Sequence, residues 1–78
     1  MKEQEQQKEH LEQQLQWTKE QVRILDGMDE KLQAMKKIAE YAAGNDLSSS
    51  EREEWNSELE KLKGEYDFLE KQRYTLLN

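Results

Sequence analysis

At 78 residues the chain has room for one small domain, and with 33% apolar residues and no cysteine it can neither build a core of ordinary size nor staple itself with disulfides. Its 18 acidic and 12 basic residues leave a net charge of −6, which argues against a phosphate-binding face, since that needs a clustered excess of Lys and Arg. Without thiols there is no cysteine nucleophile and no thiolate metal site, and oligomerisation is the stabilising device that remains.

Residues 1–16 hold six Gln and only Leu11 and Leu15 as large apolar residues after Met1. Nearly all the rest are good helix formers, so residues 1–12 read as a polar helical overhang or a frayed tail. Met1-Lys2-Glu3-Gln4 leads into charge rather than into a signal-peptide core. No apolar run approaches the roughly 18 residues of a membrane span. The expectation is a soluble, cytoplasmic protein with neither a nucleic-acid nor a membrane partner, unless a signal-free route exports it.

A first helix is predicted over residues 11–43. Its apolar positions run Leu11, Leu15, Thr18, Val22, Leu25, Met28, Leu32, Met35, Ala39, Ala42, spaced by fours and threes with two successive threes at Val22, Leu25 and Met28. That pattern is a coiled-coil seam with one phase slip, beside Gly27. The helix should stop near Ala43, because Gly44 suits a left-handed closing position and Asn45 tolerates one. Residues 44–48 form the predicted turn. Ser48 with Glu51, or Ser50 with Glu53, fits the Ser-x-x-Glu capping box that opens a second helix over residues 49–77.

The second helix repeats strictly through Trp55, Leu59, Leu62, Tyr66, Leu69, Arg73 and Leu76. The predicted fold is therefore all-α: a two-helix antiparallel coiled-coil hairpin, dimerising into a four-helix bundle. Leu25, Met28, Leu32, Met35 and Ala39 should pack on Trp55, Leu59, Leu62, Tyr66 and Leu69. Folding about position 45.5 sets Gly27 opposite Gly64, in a hairpin roughly 45 Å long with up to ~18 Å of overhang.

No pattern here specifies a reaction. His10 stands alone in the polar amino-terminal run, without a second metal-binding partner. The acids Asp26, Asp29, Glu30, Glu51, Glu53 and Glu54 fall on helix faces already rich in Lys and Arg, and Ser48, Ser49 and Ser50 have no histidine base. No metal, cofactor or catalytic set is expected. The functional signal is instead apolar surface left over by the seam, at Leu11, Trp17, Ile24, Ile38, Tyr41, Phe68, Tyr74 and Leu77. A two-helix hairpin cannot bury all of these residues. They form the candidate interface for a second copy or a helical protein partner.

Residues 32–67 carry Leu32, Met35-Lys36-Lys37-Ile38-Ala39, Ala42-Ala43-Gly44-Asn45, the Ser-rich cap 46–50, Arg52, Glu58-Leu59-Glu60 and Leu62-Lys63-Gly64-Glu65. In that order and spacing the stretch resembles the amino-terminal helix-turn-helix of bacterial flagellins, with Gly44-Asn45 inverting the family's Asn-Gly and Lys36 replacing its Arg. The resemblance implies a similar hairpin and an assembly role rather than a filament subunit, because flagellin's terminal helices have no counterpart here. Asn56-Ser57-Glu58-Leu59-Glu60 resembles more weakly the Ser-Gln-Glu-Leu-Asp of the aspartyl-phosphate phosphatases of sporulation control. That likeness implies an alternative role as a small bacterial regulator acting through Glu58 and Glu60, with Glu60 standing where the family has its aspartate.

Overall fold

The computed structural model describes residues 2–77, and side chains through Leu76. Met1 and the side chain of Leu77, named above in the overhang and the spare apolar surface, lie outside it. Two helices, α1 (Lys2–Gly44) and α2 (Ser49–Leu77), pack antiparallel against each other. The hairpin is a rod with principal extents of 69 × 19 × 12 Å.

Strong helix formers and the absence of proline let α1 run unbroken from Lys2, so the polar amino-terminal run is helical within the described residues. The stop differs from the glycine-closed end expected. No described glycine has a positive φ, and Gly44 ends the helix in ordinary helical geometry. The side chain of Asn45 closes it instead, its Nδ2–H donating to the Tyr41 carbonyl at 2.8 Å. One of the carbonyls that a helix end leaves unpaired is thereby satisfied.

Of the two possible caps, Ser48 is the one used. Its Oγ accepts from the Glu51 N–H at 3.2 Å and donates to the Glu51 carboxylate at 3.3 Å, while the Arg52 N–H donates to the Ser48 carbonyl at 3.0 Å. Such a cap is worth about 1 kcal/mol. Glu51 also places negative charge at the positive end of the α2 dipole.

The register is not the one a fold about position 45.5 predicts. Gly27 meets Leu69 rather than Gly64, Lys31 meets Glu65 and Tyr41 meets Trp55, a displacement of more than one helical turn along α2. Residues 45–48 carry the chain between the helices without helical structure, and the cross-helix pairs set the centre of the fold towards the carboxy terminus. Trp17 lies beside Leu76 near the end of α2. Residues 2–16 of α1 thus run past the end of α2, about 22 Å of helix at 1.5 Å per residue.

Candidate interaction surface

Helix α2 presents the face its spacing predicts. Leu62 is buried, and Trp55, Leu59, Tyr66, Leu69, Arg73 and Leu76 are half-buried along the line of contact. On α1 the contact line is Trp17, Gln21, Ile24, Met28, Lys31, Met35, Ile38, an unbroken alternation of fours and threes. Ile24 and Ile38 are each 8% exposed, whereas Leu25 and Leu32 are 42% and 46% exposed. The placement of Leu25, Leu32 and Ala39 in the seam is therefore corrected, as is that of Ile24 and Ile38 on a partner surface; Met28 and Met35 do lie between the helices.

The physical reason is that α1 carries two heptad stripes offset by one residue, about 100° apart around the helix. The second runs Leu11, Leu15, Thr18, Val22, Leu25, Asp29, Leu32, Lys36, Ala39, also without a break. Up to Leu25 the simple reading follows the second stripe, and after the phase slip it takes Met28 and Met35 from the first and Leu32 and Ala39 from the second. Apolar content hardly separates them; what the first stripe offers α2 does.

Gly27 lets α2 come close, since a Cβ there would lie 3.2 Å from Leu69 Cδ1. Lys31 Nζ meets Glu65 Oε2 at 2.8 Å across the seam. This hydrogen bond raises the Lys31 pKa above its ordinary value and lowers that of Glu65 below its own, each against a smaller opposing effect of desolvation. The Trp17 indole N–H donates to the Leu76 carbonyl at 2.7 Å, and the amide of buried Gln21 donates to the Arg73 carbonyl at 3.4 Å. Two side chains of α1 thus serve carbonyls of the last turns of α2. Sequence reasoning missed these contacts because neither Gln21 nor Lys31 scores as a seam residue.

What remains uncovered is the second stripe. Leu11, Leu15, Val22, Leu25 and Leu32 are all exposed, Leu11 and Leu15 on the overhang. Of the other candidate interface residues, Trp17 is engaged at the end of α2 and Tyr41 packs on Trp55 with ring centroids 5.5 Å apart. Phe68 and Tyr74, exposed and grouped together in the sequence reading, fall on opposite sides of the hairpin. Phe68 lines an open groove of about 510 Å³ with Glu20, Arg23, Lys71 and Gln72. Helical geometry turns Tyr74 to the side of Val22 and Leu25.

Among the described residues no three His, Asp or Glu side chains are placed to hold a metal ion, and no buried side-chain N or O lacks a hydrogen-bond partner. Glu58 and Glu60, the acids of the phosphatase-like stretch, are two apart on α2 and so point to different sides of it. No described helix is long and apolar enough to cross a membrane. Compared with known protein families, curated proteins and solved structures, the chain has no match in any of the three. The likeness to the flagellin helix-turn-helix accordingly rests on residues 32–67 alone.

Proposed function

We propose that this chain is a non-enzymatic protein–protein interaction and assembly module, a coiled-coil hairpin that self-associates as a homodimer and thereby forms a four-helix bundle. The observation that carries this reading is the second stripe of α1: an unbroken heptad repeat with five large apolar residues, exposed along a hairpin whose other seam is already occupied. A sustained repeat of this kind has one common physical use, burial against another helix. Large apolar side chains recurring along one exposed helix face support an association site. The thin seam favours the same conclusion, since Ile24, Met28, Ile38 and Leu62 are the only buried hydrophobic residues among those described.

Sedimentation equilibrium at high micromolar concentration tests the proposal. A dimer that Leu25→Asp converts to monomer, while the helical signal of the dilute protein stays unchanged, is the expected result. A folded monomer at every concentration would overturn it. If wild type and L25D are dimers of equal strength, the second stripe is not the surface.

A further inference from the structure

We infer that the occupant of the second stripe is a second copy of α1, lying antiparallel and centred between Arg23 and Ile24 so that Val22 meets Leu25 of the other copy. This inference rests on the self-association proposed above and fixes its geometry. In antiparallel pairing the first core position of one heptad faces the fourth of the other, and only registers a heptad apart satisfy this along the whole stripe.

In the register centred between Arg23 and Ile24, like meets like. Val22 faces Leu25 of the second copy and Leu15 faces Leu32, each pair occurring twice by symmetry. The two polar core positions that remain between them, Thr18 and Asp29, face each other. The Thr18 hydroxyl, which donates to the Gln14 carbonyl in the single chain, can turn its proton to that carboxylate. Leu11 meets Lys36 only near the ends, where the long lysine stem covers apolar surface and its ammonium reaches water.

Flanking charges agree. Lys19 falls beside Asp26 of the second copy, giving two reciprocal ion pairs at the rim, and both residues are exposed in the hairpin. The alternatives are worse on the same criteria. Sliding one copy by a heptad sets Asp29 against Leu11 or against Leu25, and a parallel in-register pair stacks Asp29 on Asp29 and Lys36 on Lys36. The antiparallel register also lays the stretch of α1 that α2 does not reach against residues 31–44 of the second copy. Because the first stripe is displaced by about 100°, both α2 helices come to lie on the same side of the α1 pair, each with Tyr74 turned towards the second copy.

The chain has no native cysteine, so introduced thiols can read the register directly in a glutathione redox buffer. Leu15→Cys mixed with Leu32→Cys should give a disulfide-linked heterodimer, and neither variant alone should cross-link. In the antiparallel register Leu15 lies about 25 Å from its own copy, far beyond disulfide reach. Cross-linking by L15C alone would overturn the inference in favour of a parallel pair. No cross-link in the mixture, with wild type still sedimenting as a dimer, would overturn the register and leave self-association standing. A wild-type monomer would remove both. Charge exchange gives a second readout: Lys19→Asp or Asp26→Lys alone should weaken the dimer by roughly tenfold, and the two together should restore it. Failure of the double variant to recover would count against the pairing of Lys19 with Asp26.

Discussion

The two stripes of α1 are near equals in apolar content and opposite in fate. The first, Trp17 to Ile38, is covered by α2; the second, Leu11 to Ala39, faces solvent one residue further round the helix. The difference shows that leucine count does not choose a seam. The covered stripe differs in what it meets: Gly27 beside it faces Leu69, Lys31 has Glu65 opposite, and Trp17 and Gln21 reach carbonyls at the end of α2.

That contrast can be broken most sharply with one charge placed on either side of it. Leu62→Asp puts an unpaired carboxylate among buried residues, and thermal denaturation should show a loss of several kcal/mol, enough to unfold so thin a structure. Leu25→Asp should leave the melt of the dilute protein within about 0.5 kcal/mol of wild type. Equal destabilisation by both would mean that the stripes are not distinct.

Truncation should separate neighbouring residues in the same way. Ile24→Ala is expected to cost about 2 kcal/mol in urea denaturation, whereas Val22→Ala, exposed, should cost a few tenths. The buried amide probes the first stripe from the other direction. Gln21→Leu should raise the melting temperature, because a polar residue in a seam fixes register at a cost in stability.

Smaller still is the contrast between glycines. Gly64→Ala has open space around it and should stabilise by close to the ~1 kcal/mol that alanine gains over glycine in a helix. Gly27→Ala should gain less, because its new methyl must displace Leu69 Cδ1. Paired urea titrations would show whether that ordering holds.

The Lys31–Glu65 pair gives the least effect, and its signature is pH. The Glu65 pKa is lowered in the fold, so its contribution is present above the ordinary carboxylate range and is lost as acid protonates it. The Lys31 pKa is raised, so its contribution is present below the ordinary lysine range and is lost as pH rises through the folded value. Lys31→Met should therefore flatten the stability profile at both extremes, and identical curves for variant and wild type would remove the pair from the account.

Much of the fold is legible in the residues. The antiparallel hairpin, the cap at Ser48 and the whole contact face of α2 follow from spacing and turn chemistry, because α2 carries one stripe and so offers one solution. Helix α1 defeats the same reasoning by carrying two. Choosing the apolar residue nearest each expected position joins Val22 and Leu25 to Met28, and so exchanges Ile24 and Ile38 with Leu25 and Leu32. The register is less legible because it follows the path of residues 45–48 between the two helices, which apolar spacing does not encode.

The bond from Trp17 to Leu76 also orders events in time. Tyr41 and Trp55 meet across the short turn, while Trp17 and Leu76 are 59 residues apart in sequence. The entropy lost on closing a loop grows with its length, so the two ends of the paired segment have different histories: the turn end is cheapest to form first, and the far end follows as intervening contacts shorten the effective loop. The only two tryptophans sit at these two ends. Trp17→Phe and Trp55→Phe variants therefore make the hairpin a clock with two hands, one reporting its closure and the other its completion.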